Sequence, residues 1–329
     1  MNSKRYFFIT LGCILLSLLM IVGVVVIVDP YQQYKQSDVF MSNQRLSNPG
    51  IAKTQDYDAV IVGSSMAMNH YPSQVDSLFG WNTINMTVKG GVDADYNLLF
   101  PHIARQGKVK HMIWGLDFFS FTLPTTYSLE SYLYDNKWWN DYPYWLNYTS
   151  CTNLFNKLTK RKVVTTRDKM YHFDSSCGRE LLQRYYERDN NEKYFGRYDF
   201  SRMEARFDEM LEAVMPLLRD LDIYIYFSPY SIFEFKMLEQ YGHWKQVLDF
   251  KQYMIEKLLK YPNVRLYDFQ RDEFICNLDE YMDLRHHSHA YNKRIVEYMH
   301  KDSCRVSEDN YKKDLAVLDS LVRHYRLND

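Results

Sequence analysis

The longest uninterrupted apolar run opens the chain: Tyr6 to Val28 passes without a charged side chain. At about 1.5 Å per residue it reaches roughly 34 Å, enough to cross the hydrocarbon core of a bilayer. The apolar core of a signal peptide is shorter, about 7–15 residues, and precedes a cleavage site of small residues. No such site stands before Asp29-Pro30. Residues 1–28 are therefore expected to form a retained transmembrane anchor. Lys4 and Arg5 precede the run and Asp29 follows it. That asymmetry predicts a cytoplasmic N-terminus and an extracytoplasmic remainder, a single-pass protein of the cell membrane.

After the anchor the pattern changes twice. Residues 29–55 are polar, lack periodicity and predict a juxtamembrane arm. From Asp56 onward, short apolar runs alternate with longer amphipathic stretches. Strands are predicted at Asp58–Gly63, Trp81–Met86, Lys110–Leu116, Asp222–Phe227 and Asn263–Phe269. Helices are predicted at Ser73–Phe79, Ala94–Gln106, Ser201–Arg219 and Trp244–Lys260. The short apolar runs suit buried parallel strands. The alternation predicts an α/β domain over 56–329: a doubly wound, mainly parallel five-stranded sheet in three α/β/α layers, flavodoxin-like in kind. Residues at about 120–200 are too many for one crossover and predict an insertion. Nine aromatic residues crowd its first part: Tyr127, Tyr132, Tyr134, Trp138, Trp139, Tyr142, Tyr144, Trp145 and Tyr148. They suggest a cap over the sheet edge, its rings packed together or open to a sugar.

Composition narrows the class. With 40 basic and 41 acidic residues the net charge is -1, without the basic excess of a nucleic-acid binder. Residues 1–28 carry +2, which leaves -3 on the rest. Hydrophobic residues at 46% and charged ones at 25% exclude a disordered or collagen-like chain. Cys13 lies in the apolar run, and Cys151, Cys177, Cys276 and Cys304 lie outside it. Those four allow two disulfides, with sequence neighbours Cys151–Cys177 and Cys276–Cys304 the preferred pairing and free thiols the alternative. No C-x-x-C occurs, so a zinc ribbon or thioredoxin-like site is not expected.

Three polar clusters follow predicted strands, where open parallel sheets bind ligands. Gly63-Ser64-Ser65 would place a serine hydroxyl at the start of a helix, beside free backbone N–H groups. Gly90-Gly91 would let a backbone amide approach a ligand. Asp283-Leu-Arg-His286-His287-Ser288-His289 supplies a base with a carboxylate three residues before it. Each has a plainer reading as a turn or loop. The third also admits a metal site on Asp283, His286 and His289, or a hydrolytic metal on His286, His287 and His289.

Taken together, the three clusters resemble the SGNH, or GDSL-type, hydrolase superfamily over roughly residues 56–299. Asp29-Pro30-Tyr31, Asp56-Tyr57-Asp58 and the tail Asp283-x-x-His286-x-Ser288-x-x-x-Asn292 look like membrane-anchored bacterial members of it. The resemblance implies Ser65 as nucleophile, with Ser64 at the position where the family has Asp. It implies His286 as base and Asp283 as its partner, and the amides of Ser65 and Gly90 as oxyanion donors. The family's third block, Gly-x-Asn-Asp, matches Gly115-Leu116-Asp117-Phe118 here. An ionised Asp117 cannot donate a hydrogen bond to an oxyanion. The hole is then left to the two amides, with Asn69 as a further donor, or the protein has lost turnover. The implied function is a cell-envelope serine esterase or O-acyltransferase on acyl esters of surface glycans. It would need no metal or other cofactor and would bind no nucleic acid. The alternative is a catalytically degenerate glycan-binding module.

Overall fold

The computed structural model describes residues 3–125, 129–135, 137–159, 161, 163–173 and 175–326. Tyr127, the first of the nine clustered aromatics, lies outside them. Five strands form one all-parallel sheet: β1 (Ala59–Gly63), β2 (Thr83–Asn85), β3 (His111–Leu116), β4 (Asp222–Phe227) and β5 (Val264–Asp268). Their order is β2-β1-β3-β4-β5, so the sequence of neighbours reverses at β1. Thirteen α-helices occur among the described residues. They are α1 (Ser3–Val28), α2 (Gln44–Thr54), α3 (Pro72–Phe79), α4 (Asp93–Gln106), α5 (Tyr142–Trp145), α6 (Tyr148–Leu158) and α7 (Arg179–Asp189). The chain continues through α8 (Met203–Val214), α9 (Ile232–Gln240), α10 (Trp244–Leu258), α11 (Asp272–Ile275), α12 (His289–His300) and α13 (Tyr311–His324).

The chain forms two compact units. One holds Asp56–Ser128 and Arg167–Asp329, and with them the whole sheet. Its strands are buried on both faces, as their unbroken apolar sequences require; Ile61, Trp114, Ile225 and Tyr267 are fully enclosed. Here α3 packs on α12, α4 on α8, and α13 on α9 and α10. α8 stops at Val214, short of the predicted Arg219, and gives way to a 3-10 turn over Met215–Leu217. Pro216, which has no N–H to donate, sits in that turn.

The other unit joins Met1–Gln55 to Leu129–Thr166, so far as they are described. α1 is long and apolar enough to cross a membrane, a test of length and composition that a signal sequence also meets. It packs against α5 and α6, and Val25 near its end is buried. The chain leaves α1 through Asp29, whose backbone takes the left-handed region at φ 47°. The buried Asp29 carboxylate accepts from the N–H of Gln33 and Tyr34 at 2.8 Å, from Lys35 N–H at 3.0 Å, and from Tyr144 OH at 3.0 Å. One carboxylate thus holds the exit of α1 to a residue more than a hundred positions away.

Two sequence expectations need correction. The arm of residues 29–55 contains α2, although its sequence shows no helical period. α2 is held by close packing, and a Cβ at Gly50 would lie 2.5 Å from the Tyr31 and Gln32 carbonyl oxygens. The preferred disulfides do not form: all five cysteines are free. A disulfide needs Cβ atoms about 4 Å apart, which nearness in sequence does not ensure. Cys276 engages Asp272 instead.

Candidate active site

β1 ends at Gly63, whose register partner on β3 is Gly115. Gly63 has φ 137°, and a Cβ there would come within 2.6 Å of the Gly115 carbonyl oxygen. The bare backbone lets the chain turn at once into a 3-10 helix over Ser65–Ala67. Ser64 caps that turn, its hydroxyl accepting from Met66 N–H at 3.2 Å. Ser65 follows at the first helical position, half-buried.

The loop after β2 is tied to the same point. Val88 N–H donates to the Gly63 carbonyl at 2.9 Å, and Gly91 N–H closes a turn on Val88 O at 2.9 Å. Gly90 stands at the exposed tip of that turn with φ 60°. Ser120, after β3, donates to Gly91 O at 2.8 Å. The ends of β1, β2 and β3 are thereby fastened together. The amides of Ser65 and Gly90 meet no acceptor among the described residues, and both residues border one cavity.

The Asp283–His286 loop comes from the far end of the chain. Met282 N–H donates to His286 O at 2.8 Å, closing the loop at its base. Ser231, after β4, donates its hydroxyl to Leu284 O at 2.7 Å. The loop leads into α12, which Ser288 caps. Ser65 Oγ lies 2.8 Å from His286 Nε2, and His286 Nδ1 lies 2.7 Å from Asp283 Oδ2. The other Asp283 oxygen accepts from the N–H of Arg285 and of His286, each at 2.8 Å. Burial pushes the Asp283 carboxyl up, but its bonds to His286 and the two amides outweigh that and hold it at about 2. An ionised Asp283 only accepts, so Nδ1 carries the imidazole proton and Nε2 is free to accept from Ser65 O–H.

Asp117 is 2% exposed and lies at the end of β3. It accepts from the Ser64 hydroxyl on Oδ2 and from Tyr230 OH at 2.6 Å on Oδ1. Burial raises its pKa, opposed by the hydroxyls of Ser64, Tyr230 and Ser228. Both oxygens are thus engaged by side chains of the protein. Asn69 accepts from Phe173 N–H on Oδ1 at 3.0 Å, its buried Nδ2 meets no acceptor among the described residues, and it is not among the residues that border the two cavities beside Ser65.

Ser65 and His286 border two cavities. The first encloses about 410 Å³ and is walled by Gly90, Asp117, Phe119, Leu123, Tyr230 and Arg285. The second, about 650 Å³, is bordered by Lys89, Phe173, Tyr185, Met282 and Asp283. Arg285 is paired with the buried Glu234 at 2.8 Å and lies over the Phe119 ring at 3.5 Å. Tyr230 and Arg285 did not stand out in the sequence. The signal for Tyr230 was its place in Ser228-Pro229-Tyr230-Ser231, directly after the fourth strand; for Arg285 it was its place inside Asp-x-x-His.

The metal readings find no support in the geometry. His286 is taken up by Ser65 and Asp283, and His289 Nδ1 faces Asn69 O at 3.1 Å. His287 is buried, and burial pushes it down to about 4. Among the described residues no group of His, Cys, Asp and Glu is arranged to hold a metal ion. What the three segments build is a hydroxyl, an imidazole and a carboxylate joined by two contacts, with two amides that meet no acceptor among the described residues in residues bordering the same cavity. In comparison with known protein families and with curated proteins, no family model matches the chain and no curated protein matches it.

Proposed function

We propose that the protein is an SGNH-type serine esterase or O-acyltransferase, acting on acyl esters of glycans in the cell envelope. The observation that carries this reading is the line Ser65 Oγ–His286 Nε2–Nδ1–Asp283: a 2.8 Å contact between residues 221 positions apart, continued by a 2.7 Å contact within the Asp283–His286 loop. The strand order, reversing at β1 beside Ser65, also supports it, because parallel sheets bind ligands outside the carboxyl ends of strands at such a reversal. A three-layer SGNH arrangement, with residues at about 120–200 as an insertion, belongs to the same reading. So does α1 as a single-pass anchor with a cytoplasmic N-terminus, which gives the envelope as the place of action.

The chemistry follows from the geometry. Ser65 O–H gives its proton to His286 Nε2 as Oγ attacks the ester carbonyl carbon. Asp283 stabilises the imidazolium that forms. The Ser65 and Gly90 amides donate to the oxyanion, as such pairs do in acyl transfer. His286 then returns its proton to the departing alcohol, leaving an acyl-serine. Water or a sugar hydroxyl, deprotonated by His286, takes the acyl group and frees Ser65. The two cavities that Ser65 and His286 both border offer places for the acyl group and the alcohol.

The test is turnover of p-nitrophenyl acetate by the full-length protein in detergent. Wild type should hydrolyse it, and Ser65→Ala and His286→Ala should each abolish the activity. Asp117, which denies the oxyanion the side-chain donor of the family pattern, favours the competing reading of a glycan-binding module. Glycan binding indifferent to Ser65→Ala, in a wild-type protein without esterase activity, would establish that alternative.

A further inference from the structure

In a water-facing helix the apolar side turns inward and the polar side outward. α6 reverses this. Its inward side is polar: Ser150 is buried, Asn153 donates to Tyr31 OH at 2.7 Å, and Lys157 donates to the Asp29 carbonyl at 2.6 Å. Its outward side carries Tyr148, Phe155 and Leu158, exposed by 82%, 58% and 62%. Positions i, i+7 and i+10 share one helix face, so these three form a stripe. The turn just before α5 adds Trp138 and Trp139, both more than 60% exposed.

The place of α6 says what covers that stripe. α1 has 26 residues, about 39 Å of helix, against roughly 30 Å of hydrocarbon. Some two turns of α1 therefore reach into the interfacial layer. The end of α1 near Asp29, where Val25 is buried, is the part that α6 accompanies. With α1 as the anchor, α6 flanks the end at which the apolar helix would leave the bilayer, and its apolar face is exposed on the same unit. Tyr and Trp concentrate at that depth because their rings are apolar and their N–H and O–H groups are polar.

We infer that Trp138, Trp139 and the outward stripe of α6 form a bilayer contact, resting in the headgroup boundary beside the exit of α1. This inference rests on α1 being a retained anchor. α1 itself holds no tryptophan, so tryptophan fluorescence reports on the rest of the chain.

The experiment reconstitutes the full-length protein into phosphatidylcholine–phosphatidylglycerol vesicles and compares quenching by lipids brominated high on the acyl chain. Carbonate extraction and flotation are run on the same samples. The inference expects wild-type fluorescence to be quenched and Trp138→Phe/Trp139→Phe to lose most of that quenching, both proteins floating after extraction. Tyr148→Asp/Leu158→Asp should also float but show weaker quenching of the two tryptophans. Equal quenching in wild type and Trp138→Phe/Trp139→Phe, with both integrated, would overturn the bilayer contact and leave the anchor standing. Protein extracted by carbonate would overturn the anchor and the contact with it.

Discussion

Asp283 is held ionised by three donors packed into four residues: one imidazole and two amides converge on its two oxygens. That compactness explains why this part of the site was legible in sequence, since Asp-x-x-His fixes its own contacts. Replacing Asp283 by Asn should leave His286 able to adopt the wrong tautomer and lower kcat by up to about 10⁴-fold, read in ester turnover. Asp117 was legible as a position but not as an arrangement. Its partners, Ser64 and Tyr230, depend on which strands lie side by side, and nothing local to residues 115–118 encodes that. Asp117→Ala should strand two buried hydroxyls and cost roughly 1–3 kcal/mol, measured as a lower unfolding midpoint, with Asp117→Asn costing less.

At the scale of elements, the turn from β1 into Ser65–Ala67 is where fold and chemistry meet. Gly63→Ala adds a Cβ into the Gly115 carbonyl at a backbone angle suited to glycine. The backbone alone should cost about 1–3 kcal/mol, and the displaced Ser65 should show as lost ester turnover in whatever protein still folds. The turn also carries His70, whose Nε2 meets Tyr226 OH at 2.7 Å, and α12 is entered through His287. Burial pushes these two imidazoles down, to about 3 and about 4. Both groups thus have folded values below the unfolded one near 6.5, so the unfolded chain binds the extra protons first. Stability should vary little above pH 7 and fall as pH drops from about 6.5, towards 4 for His287 and towards 3 for His70, by about 2 kcal/mol per histidine at pH 5. Thermal unfolding of the full-length protein across that range measures it, and His287→Asn should flatten the slope. Strand positions were readable because both faces are apolar. α2 was not, because it is stabilised by what packs on Gly50 rather than by an apolar stripe of its own.

Across the whole molecule, the apolar run and the strand–helix alternation made the single long helix and the parallel sheet visible in advance. The division into two units was hidden, because residues 29–55 and 129–166 find each other across more than a hundred positions, through contacts such as Asp29 with Tyr144. The aromatic cluster shows the same limit. Tyr134 and Tyr144 are buried, whereas Trp138, Trp139, Tyr142 and Tyr148 are exposed, and no local pattern separates the two sets. The central claim is that Ser65 is a nucleophile activated by His286. It is tested most directly by treating the full-length protein with a fluorophosphonate probe and mapping the adduct by mass spectrometry. The account predicts one adduct, on Ser65, lost in Ser65→Ala and strongly slowed in His286→Ala. An unlabelled wild type, or labelling of Ser65 indifferent to His286→Ala, would contradict it.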